Sequence, residues 1–312
     1  MMGSRICFVL TAVALTGCSM VEQEQRPAPT APTGAQTVRE QQTTVAQAPA
    51  SAPDLWPSEA PGIHAKSAIL IDADTGRTLY QKNADAPRQV ASTQKLLTAL
   101  LVVERGNLDQ MVQIEAVDTN VEPTRTGMHA GQAYPRRQLL NAMLVHSCND
   151  AAAALARDSA GSIEAFAGVM NERAAELGAT STHFVNPNGL PAPQHSTARD
   201  MARIACAAYR HPEVREIVRQ PFYPFQFNNG RVSYMDSTDK LLGRCPGVDG
   251  MKTGYTDAAG RCLITSATLN GHHFILVQLG SQTRYIFDDA ATMVQWAAAR
   301  EGSSFFAFNP ST

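Results

Sequence analysis

The sequence predicts an α+β fold in which one antiparallel sheet is assembled from both ends of a domain. Helices flank the sheet, and a helical lobe from the middle of the chain leaves a site between the two. Three observations carry this. Strand signals lie at the two ends of the folded region, at residues 68–81 and 250–279. The stretch between, about 136–210, is alanine-rich with helical periodicity. Asn270-Gly271, a strong tight-turn signal, separates two apolar runs near the C-terminus, which fixes them as antiparallel neighbours.

Taken in order, the elements begin late. Arg5 precedes an apolar run over residues 6–15, too short for a stable bilayer span but suited to a signal-peptide core. It runs into Leu15-Thr16-Gly17-Cys18-Ser19, which resembles the lipoprotein cleavage box, so residues 1–18 read as a lipoprotein signal ending at a lipidated Cys18. Residues 19–61, rich in Ala, Pro, Gln and Thr, lack the apolar surface to fold and read as a disordered tether. The folded domain is expected over 62–302, with a tail at 303–312.

Within that domain, Ala68-Ile69-Leu70-Ile71-Asp72 and Thr78-Leu79-Tyr80-Gln81 flank a turn containing Gly76, a hairpin signal. A helix is expected from Ser92 through Glu104. A loop with Pro and Gly interrupts the helical middle at residues 186–193. Strands follow at 250–256, 261–268 and 273–279, and a closing helix at 285–300.

Composition excludes some classes. A net charge of −2, a pI near 6.4 and no long basic run give no support for nucleic-acid binding. Cys7 leaves with the signal and Cys18 carries lipid. The remaining Cys148, Cys206, Cys245 and Cys262 match no zinc spacing, and a Cys245–Cys262 disulfide is left open. No His, Cys or Asp cluster argues for a metal, and no glycine loop for a phosphate cofactor.

Three short motifs carry chemistry: Ser92-Thr93-Gln94-Lys95, Ser147-Cys148-Asn149 and Lys252-Thr253-Gly254. At a helix start, residues three apart share a face, which sets the Ser92 hydroxyl beside the Lys95 amine. A serine is a poor nucleophile until a base takes its proton. Lys95 can be that base if its amine is neutral, and burial with Lys252 as a second cation favours that state. If Ser147-Cys148-Asn149 is extended, Ser147 and Asn149 project to one side, a hydroxyl for proton relay and an amide for holding substrate. Asp150 is placed to cap the helix that follows. Gly254 inside a strand marks close approach by a ligand or another backbone, with Lys252 and Thr253 offering charge and a hydroxyl to a carboxylate. Cys148 reads as a small buried thiol. A second Ser-x-x-Lys, Ser237-Thr238-Asp239-Lys240, follows the other motifs out of order and precedes a Gly/Pro loop, so Ser92 is preferred.

With Phe184-Val185-Asn186-Pro187-Asn188-Gly189-Leu190, His195-Ser196-Thr197-Ala198-Arg199-Asp200-Met201 and Gly247-Val248-Asp249-Gly250-Met251-Lys252-Thr253-Gly254-Tyr255-Thr256, these motifs make the chain resemble the low-molecular-mass penicillin-binding proteins that are D-alanyl-D-alanine carboxypeptidases. The resemblance implies a DD-peptidase/serine β-lactamase-like fold and peptidoglycan pentapeptide as substrate, with β-lactams as inhibitors and no cofactor. It implies an acyl-enzyme on Ser92, Lys95 as base, Ser147 as relay and Asn149 positioning substrate. Lys252 and Thr253 would hold the terminal carboxylate, with the backbone N–H groups of Ser92 and Tyr255 as oxyanion hole and Arg284 near the carboxylate.

Two departures stand out. Many members carry a second, β-rich domain and an amphipathic C-terminal anchor, neither of which is expected here. Lipid on Cys18 would anchor the chain to a membrane from the other end, placing the catalytic domain in the periplasm, with Ser19 matching an outer-membrane sorting pattern. A Ser-His-Asp site through His195 is rejected, because Lys95 already supplies the base. A DD-endopeptidase with the same residues is the main alternative. A serine β-lactamase fits less well, since Ser181-Thr182-His183-Phe184-Val185-Asn186 offers no acid to activate a deacylating water. A non-catalytic wall-binding lipoprotein has no need of both lysines and the serine.

Overall fold

The computed structural model describes residues 60–304, with side chains to residue 301. The signal segment, Cys18, nearly all of the tether and residues 305–312 lie outside the described residues. No helix among the described residues is long and apolar enough to cross a membrane.

The chain enters through a hairpin, β1 (Ser67–Asp72) and β2 (Thr78–Lys82), then a 3-10 turn (Ala91–Gln94) leading into α1 (Lys95–Arg105). Next come β3 (Met111–Gln113), α2 (Ala116–Thr119), β4 (Ala133–Pro135), α3 (Arg136–Val145), α4 (Asn149–Ala160) and α5 (Ile163–Glu176). After a long loop follow α6 (Ala198–Tyr209), α7 (Pro212–Val218) and a second hairpin, β5 (Phe222–Gln226) with β6 (Val232–Asp236). The chain closes with β7 (Val248–Thr256), β8 (Gly260–Leu269), β9 (His272–Ser281) and α8 (Ile286–Ser304).

The main sheet runs β2-β1-β9-β8-β7, all antiparallel, so β1 from the N-terminal end pairs with β9 from the C-terminal end. This is the sheet expected from the sequence. Its β8–β9 turn is made by Asn270 and Gly271, both at positive φ (52° and 80°), the pair of left-handed residues a two-residue hairpin requires.

The strand period of two sorts side chains to opposite faces. From β1, Ile69 and Ile71 enter the core shared with α1 and α6, while Ala68 and Leu70 enter the core under α8 with Leu263, Phe274, Met293 and Val294. Every β1 residue is buried, which explains its continuous apolar run. The same sorting rules out the disulfide left open above. Cys262 belongs to the first core and Cys245 to the second, and both are free thiols.

The helical lobe packs around α4, whose alanines 151–154 and 156 are all buried. Small side chains let α1, α3 and α5 approach it closely. The small ribbons β3–β4 and β5–β6, and helix α7, were not expected from the sequence. β5 and β6 show alternating burial and exposed apolar residues such as Phe222 and Tyr234, too short a pattern to read without its partner strand.

Candidate active site

The three motifs converge where the 3-10 turn, the start of α4 and the edge strand β7 meet. Ser92 is not inside an α-helix as expected, but in the 3-10 turn ahead of α1. A 3-10 turn eclipses residues i and i+3 more closely than an α-helix does, and Lys95 Nζ lies 2.8 Å from Ser92 Oγ. Ala91, at φ 50°, starts this turn from a left-handed conformation.

Two glycines make room for that turn. A Cβ on Gly189 would stand 2.1 Å from the Ala91 carbonyl oxygen, and one on Gly254 would stand 2.9 Å from the Ser92 backbone nitrogen. Gly189 also sits at φ 84°, closed to most side chains. The Lys252-Thr253-Gly254 strand and the 186–190 loop thus touch the nucleophile's backbone directly.

Lys95 is wholly buried. Its Nζ donates to Asn149 Oδ1 at 2.7 Å and to the Asn188 carbonyl at 2.6 Å. Burial, then the nearby Lys252 ammonium, hold its pKa well below the usual lysine value. Two N–H donors are what a neutral amine has to give, and both are committed here, which leaves its lone pair for the Ser92 hydroxyl.

The Asn188 carbonyl is fixed by the loop around it. Asn186 Oδ1 accepts from Gly189 N at 2.8 Å, Gln94 Nε2 donates to the Asn186 carbonyl, and Thr98 Oγ1 donates to the Pro187 carbonyl at 2.7 Å. The His195–Met201 segment is a support for this loop. Thr197 caps α6 by accepting from Asp200 N, and the Asp200 carboxylate accepts from Ser181 N and Thr182 Oγ1. His195 pairs through its backbone with His183 and makes no hydrogen bond to Ser92.

Ser147-Cys148-Asn149 is not an extended tripeptide. Ser147 is left-handed at φ 67°, Cys148 is the N-cap and Asn149 opens α4. The sharp turn sends Asn149 to Lys95, whereas the Ser147 hydroxyl makes no hydrogen bond among the described residues. Asp150 is not the N-cap residue, but its carboxylate accepts from Ala151 N in the first turn of α4 at 2.8 Å as well as from Thr126 N and Thr126 Oγ1, so it joins the helix start to the loop whose Thr124 carbonyl receives Asn149 N. Cys148 is fully buried, and burial pushes its thiol up to about 12, so it stays protonated and inert.

β7 is an edge of the sheet, which leaves its outer side to the helical lobe and the site. Lys252 is buried and burial brings its pKa down to about 7, against the favourable fields of Cys148 and Asp239. Thr253 Oγ1 donates to Thr238 Oγ1 at 2.6 Å. Tyr255 follows Gly254 on the same strand with its ring exposed and Arg261 stacked over it.

Arg284 lies over the Tyr285 ring and lines a cavity of about 420 Å³ with Lys240, Arg244 and Phe287; among the described residues it makes no hydrogen bond to Lys252, Thr253 or Ser92. Ser237 and Lys240 of the second Ser-x-x-Lys lie on the β6–β7 connection and form no nucleophile–amine pair; the Ser237 hydroxyl accepts from Asp239 N. Thr238 and Asp239 are not among the residues the sequence marks as functional, because their tetrapeptide fails as a nucleophile motif. Its position just upstream of Lys252 was the available signal.

The one group of metal-ligand side chains gathered among the described residues shares no residue with the three motifs. Asp72, His272 and Glu301 bring ligand-type atoms within 4.8 Å of one another, but Glu301 is paired with Arg77 at 2.6 Å and Asp72 Oδ1 accepts from Thr75 N. That knot ties the β1–β2 hairpin to α8.

A family model described as D-alanyl-D-alanine carboxypeptidase matches residues 56–283. A D-alanyl-D-alanine carboxypeptidase of Mycobacterium tuberculosis is 36% identical over 255 residues, 79% of this chain and 84% of the relative. A D-alanyl-D-alanine endopeptidase of Pseudomonas aeruginosa is 32% identical over 235 residues, 74% of this chain and 76% of the relative. The crystal structure of a D-alanyl-D-alanine carboxypeptidase from M. tuberculosis superposes with a TM-score of 0.74 at 33% identity, covering 83% of this chain and 98% of that one.

Proposed function

The chain belongs to the D-alanyl-D-alanine carboxypeptidase family of serine peptidases, and from that premise we propose how its residues divide the work. The enzyme is a serine-type D-Ala-D-Ala carboxypeptidase of peptidoglycan stem peptides. The observation that carries the assignment of roles is the buried Lys95 amine, 2.8 Å from Ser92 Oγ with its two N–H donors engaged elsewhere.

In this reading Lys95 takes the Ser92 proton as Ser92 Oγ attacks the carbonyl between the two D-alanines. The oxyanion that forms is met by the backbone N–H groups of Ser92 and Tyr255, a pair of donors of the kind worth most in such reactions. The peptide bond then breaks. The proton passes to the leaving D-alanine nitrogen through Ser147, whose hydroxyl has no other hydrogen-bond partner among the described residues. Water hydrolyses the Ser92 ester by the same route in reverse. Asn149 fixes Lys95 and the substrate backbone, while Lys252 and Thr253 receive the terminal carboxylate beside the small Gly254. Arg284 would add a second positive charge near that carboxylate without any direct bond to Thr253. β-Lactams acylate the same serine.

Relatives bear both carboxypeptidase and endopeptidase names, and one product assay separates the two. Purified enzyme with a pentapeptide and a crosslinked muropeptide dimer is expected to release D-alanine from the first and to leave the second largely intact. Conversion of the dimer to monomers at a comparable rate would instead favour the endopeptidase.

We further infer that Cys18 carries lipid and holds the catalytic domain in the periplasm, at the outer membrane of a two-membrane envelope. Leu15-Thr16-Gly17-Cys18-Ser19 supports this, and three acyl chains on one cysteine exceed the two signals that stable anchoring needs. Cys18→Ser is expected to move the protein from the membrane fraction to the soluble periplasmic fraction; retention in the membrane fraction would refute the lipid anchor.

A further inference from the structure

Lys252 has to be charged to hold a carboxylate, in a place where burial opposes charge. Two groups favour its ammonium form, Cys148 and Asp239. The Cys148 thiol stays protonated far above neutrality, so of the two only Asp239 can supply a negative charge.

Asp239 is built into the site rather than exposed beside it. It lies on the connection from β6 to β7, whose Ser237 N donates to the Pro221 carbonyl and whose Thr238 N donates to the Val145 carbonyl, two residues before Ser147. Thr238 Oγ1 fastens the same segment to Thr253. Asp239 is 6% exposed. Its Oδ1 accepts from Leu241 N at 2.9 Å, while Oδ2 is buried with no hydrogen-bond partner among the described residues. An unpaired buried carboxylate oxygen costs stability unless a charge opposes it. Lys252 makes no direct ion pair with Asp239, its Nζ donating to the Thr253 carbonyl at 3.0 Å, but its ammonium is the positive charge whose field favours the Asp239 carboxylate, with Cys245 as the other titratable neighbour. Lys252 in turn faces Cys148 from α4, and its field reaches Lys95 on α1, which also feels Asp150.

We propose that Asp239 is a positioning residue for the reaction: its buried carboxylate keeps Lys252 an ammonium, and so sets how far toward alkaline pH the site accepts a substrate carboxylate. The proposal rests on the reading of Lys252 given above. Burial carries the Asp239 carboxyl up to about 6, close to Lys252 at about 7, so the two titrate as a pair.

The test compares Asp239→Asn with wild type. The amide keeps an oxygen for Leu241 N and removes only the charge. The pH profile of kcat/KM reports groups of the free enzyme. Its alkaline limb, for a peptide ending in D-alanyl-D-alanine, is expected to move about one pH unit toward acid. The profile for acylation by a thioester lacking the terminal carboxylate should stay in place, and Asp239→Glu should restore the limb. Superimposable profiles in a folded Asp239→Asn protein overturn the proposal, as does a loss uniform across pH, which would mean a purely structural role. Lys252→Gln is the control on the reading beneath it. If that variant turns over the carboxylate peptide as well as wild type, the carboxylate role of Lys252 falls and the proposal with it. If Lys252→Gln loses activity while the Asp239→Asn profile stays put, only the proposal falls. Should Asp239→Asn be recovered unfolded, NMR of wild type carrying ¹³C-labelled lysine and aspartate reads the same pair. Lys252 must titrate together with a buried aspartate, and a Lys252 step without one overturns the proposal.

Discussion

Ser92→Ala is expected to abolish covalent labelling by a fluorescent penicillin and to lower kcat/KM for a D-alanyl-D-alanine peptide by at least ~10⁴-fold. The size follows from what is lost. Without Oγ there is no acyl-enzyme, and the proposed oxyanion donors and carboxylate-binding lysine can only assist direct attack by water. The fold should tolerate the change, since Ser92 Oγ bonds only to Lys95 Nζ at 2.8 Å and to the Asn188 carbonyl at 3.2 Å, and Lys95 keeps its bonds to that carbonyl and to Asn149 without it. Ser237→Ala is the matched control. Ser237 Oγ only receives Asp239 N on the β6–β7 connection, so that variant should still label. Gel fluorescence of the two variants decides the matter. Labelling that persists in Ser92→Ala and is lost in Ser237→Ala would transfer the nucleophile to the second tetrapeptide.

How far the site could be read from sequence follows from the range of each interaction. The Ser92–Lys95 pairing is local, three residues apart, and any helical turn produces it, so the pattern alone sufficed. The two-ended sheet was legible because β1, β8 and β9 are buried on both faces and spell nearly continuous apolar runs. The Asn270-Gly271 turn then fixed one register. The conformation at Ser147 was not legible: its left-handed φ is imposed by Asn149 bonding to Lys95 and to the Thr124 carbonyl, contacts that lie 54 and 25 positions away in sequence. The helix start was legible only in part: Asp150 does accept a first-turn N–H, from Ala151, but its second role, holding Thr126 from another loop, has no local signal.

The second Ser-x-x-Lys is the instructive case. As a nucleophile motif it fails, because no helix sets Lys240 against Ser237. The segment nevertheless supplies Thr238 to Thr253 and Asp239 to Lys252. Its residues serve the site through tertiary contacts with β7, which no spacing rule within the tetrapeptide expresses. Gly189 and Gly254 show the converse. Both were visible as glycines in quoted motifs, yet only the packed structure shows that each faces the backbone of the nucleophile's own turn.

Lys95→Gln should lower the rate of acylation by roughly 10²- to 10⁴-fold, the contribution of a positioned general base, with a smaller change in KM. An amide can still donate to Asn149 Oδ1 or the Asn188 carbonyl, but it cannot take the Ser92 proton. The same variant carries a second readout that a merely structural role would not give. In the folded protein burial, reinforced by Lys252, keeps the Lys95 pKa well below its usual value, whereas in the unfolded chain the amine holds its proton up to about pH 10.4. Between those two values folding must shed a proton. The unfolded state then binds more protons, so stability rises with pH across that window, by about 1.4 kcal/mol per pH unit for one whole proton. Lys95→Gln removes this dependence, although Lys252, at about 7 in the fold, contributes a similar one that remains. The melting temperature of the variant relative to wild type should therefore be higher near pH 7 than near pH 10. A difference that is flat across this range would mean that Lys95 is protonated in the folded enzyme, and the proton transfer from Ser92 would need another acceptor. The reactive amine is thus held at a cost to stability, a cost that grows as pH falls from about 10 toward neutrality.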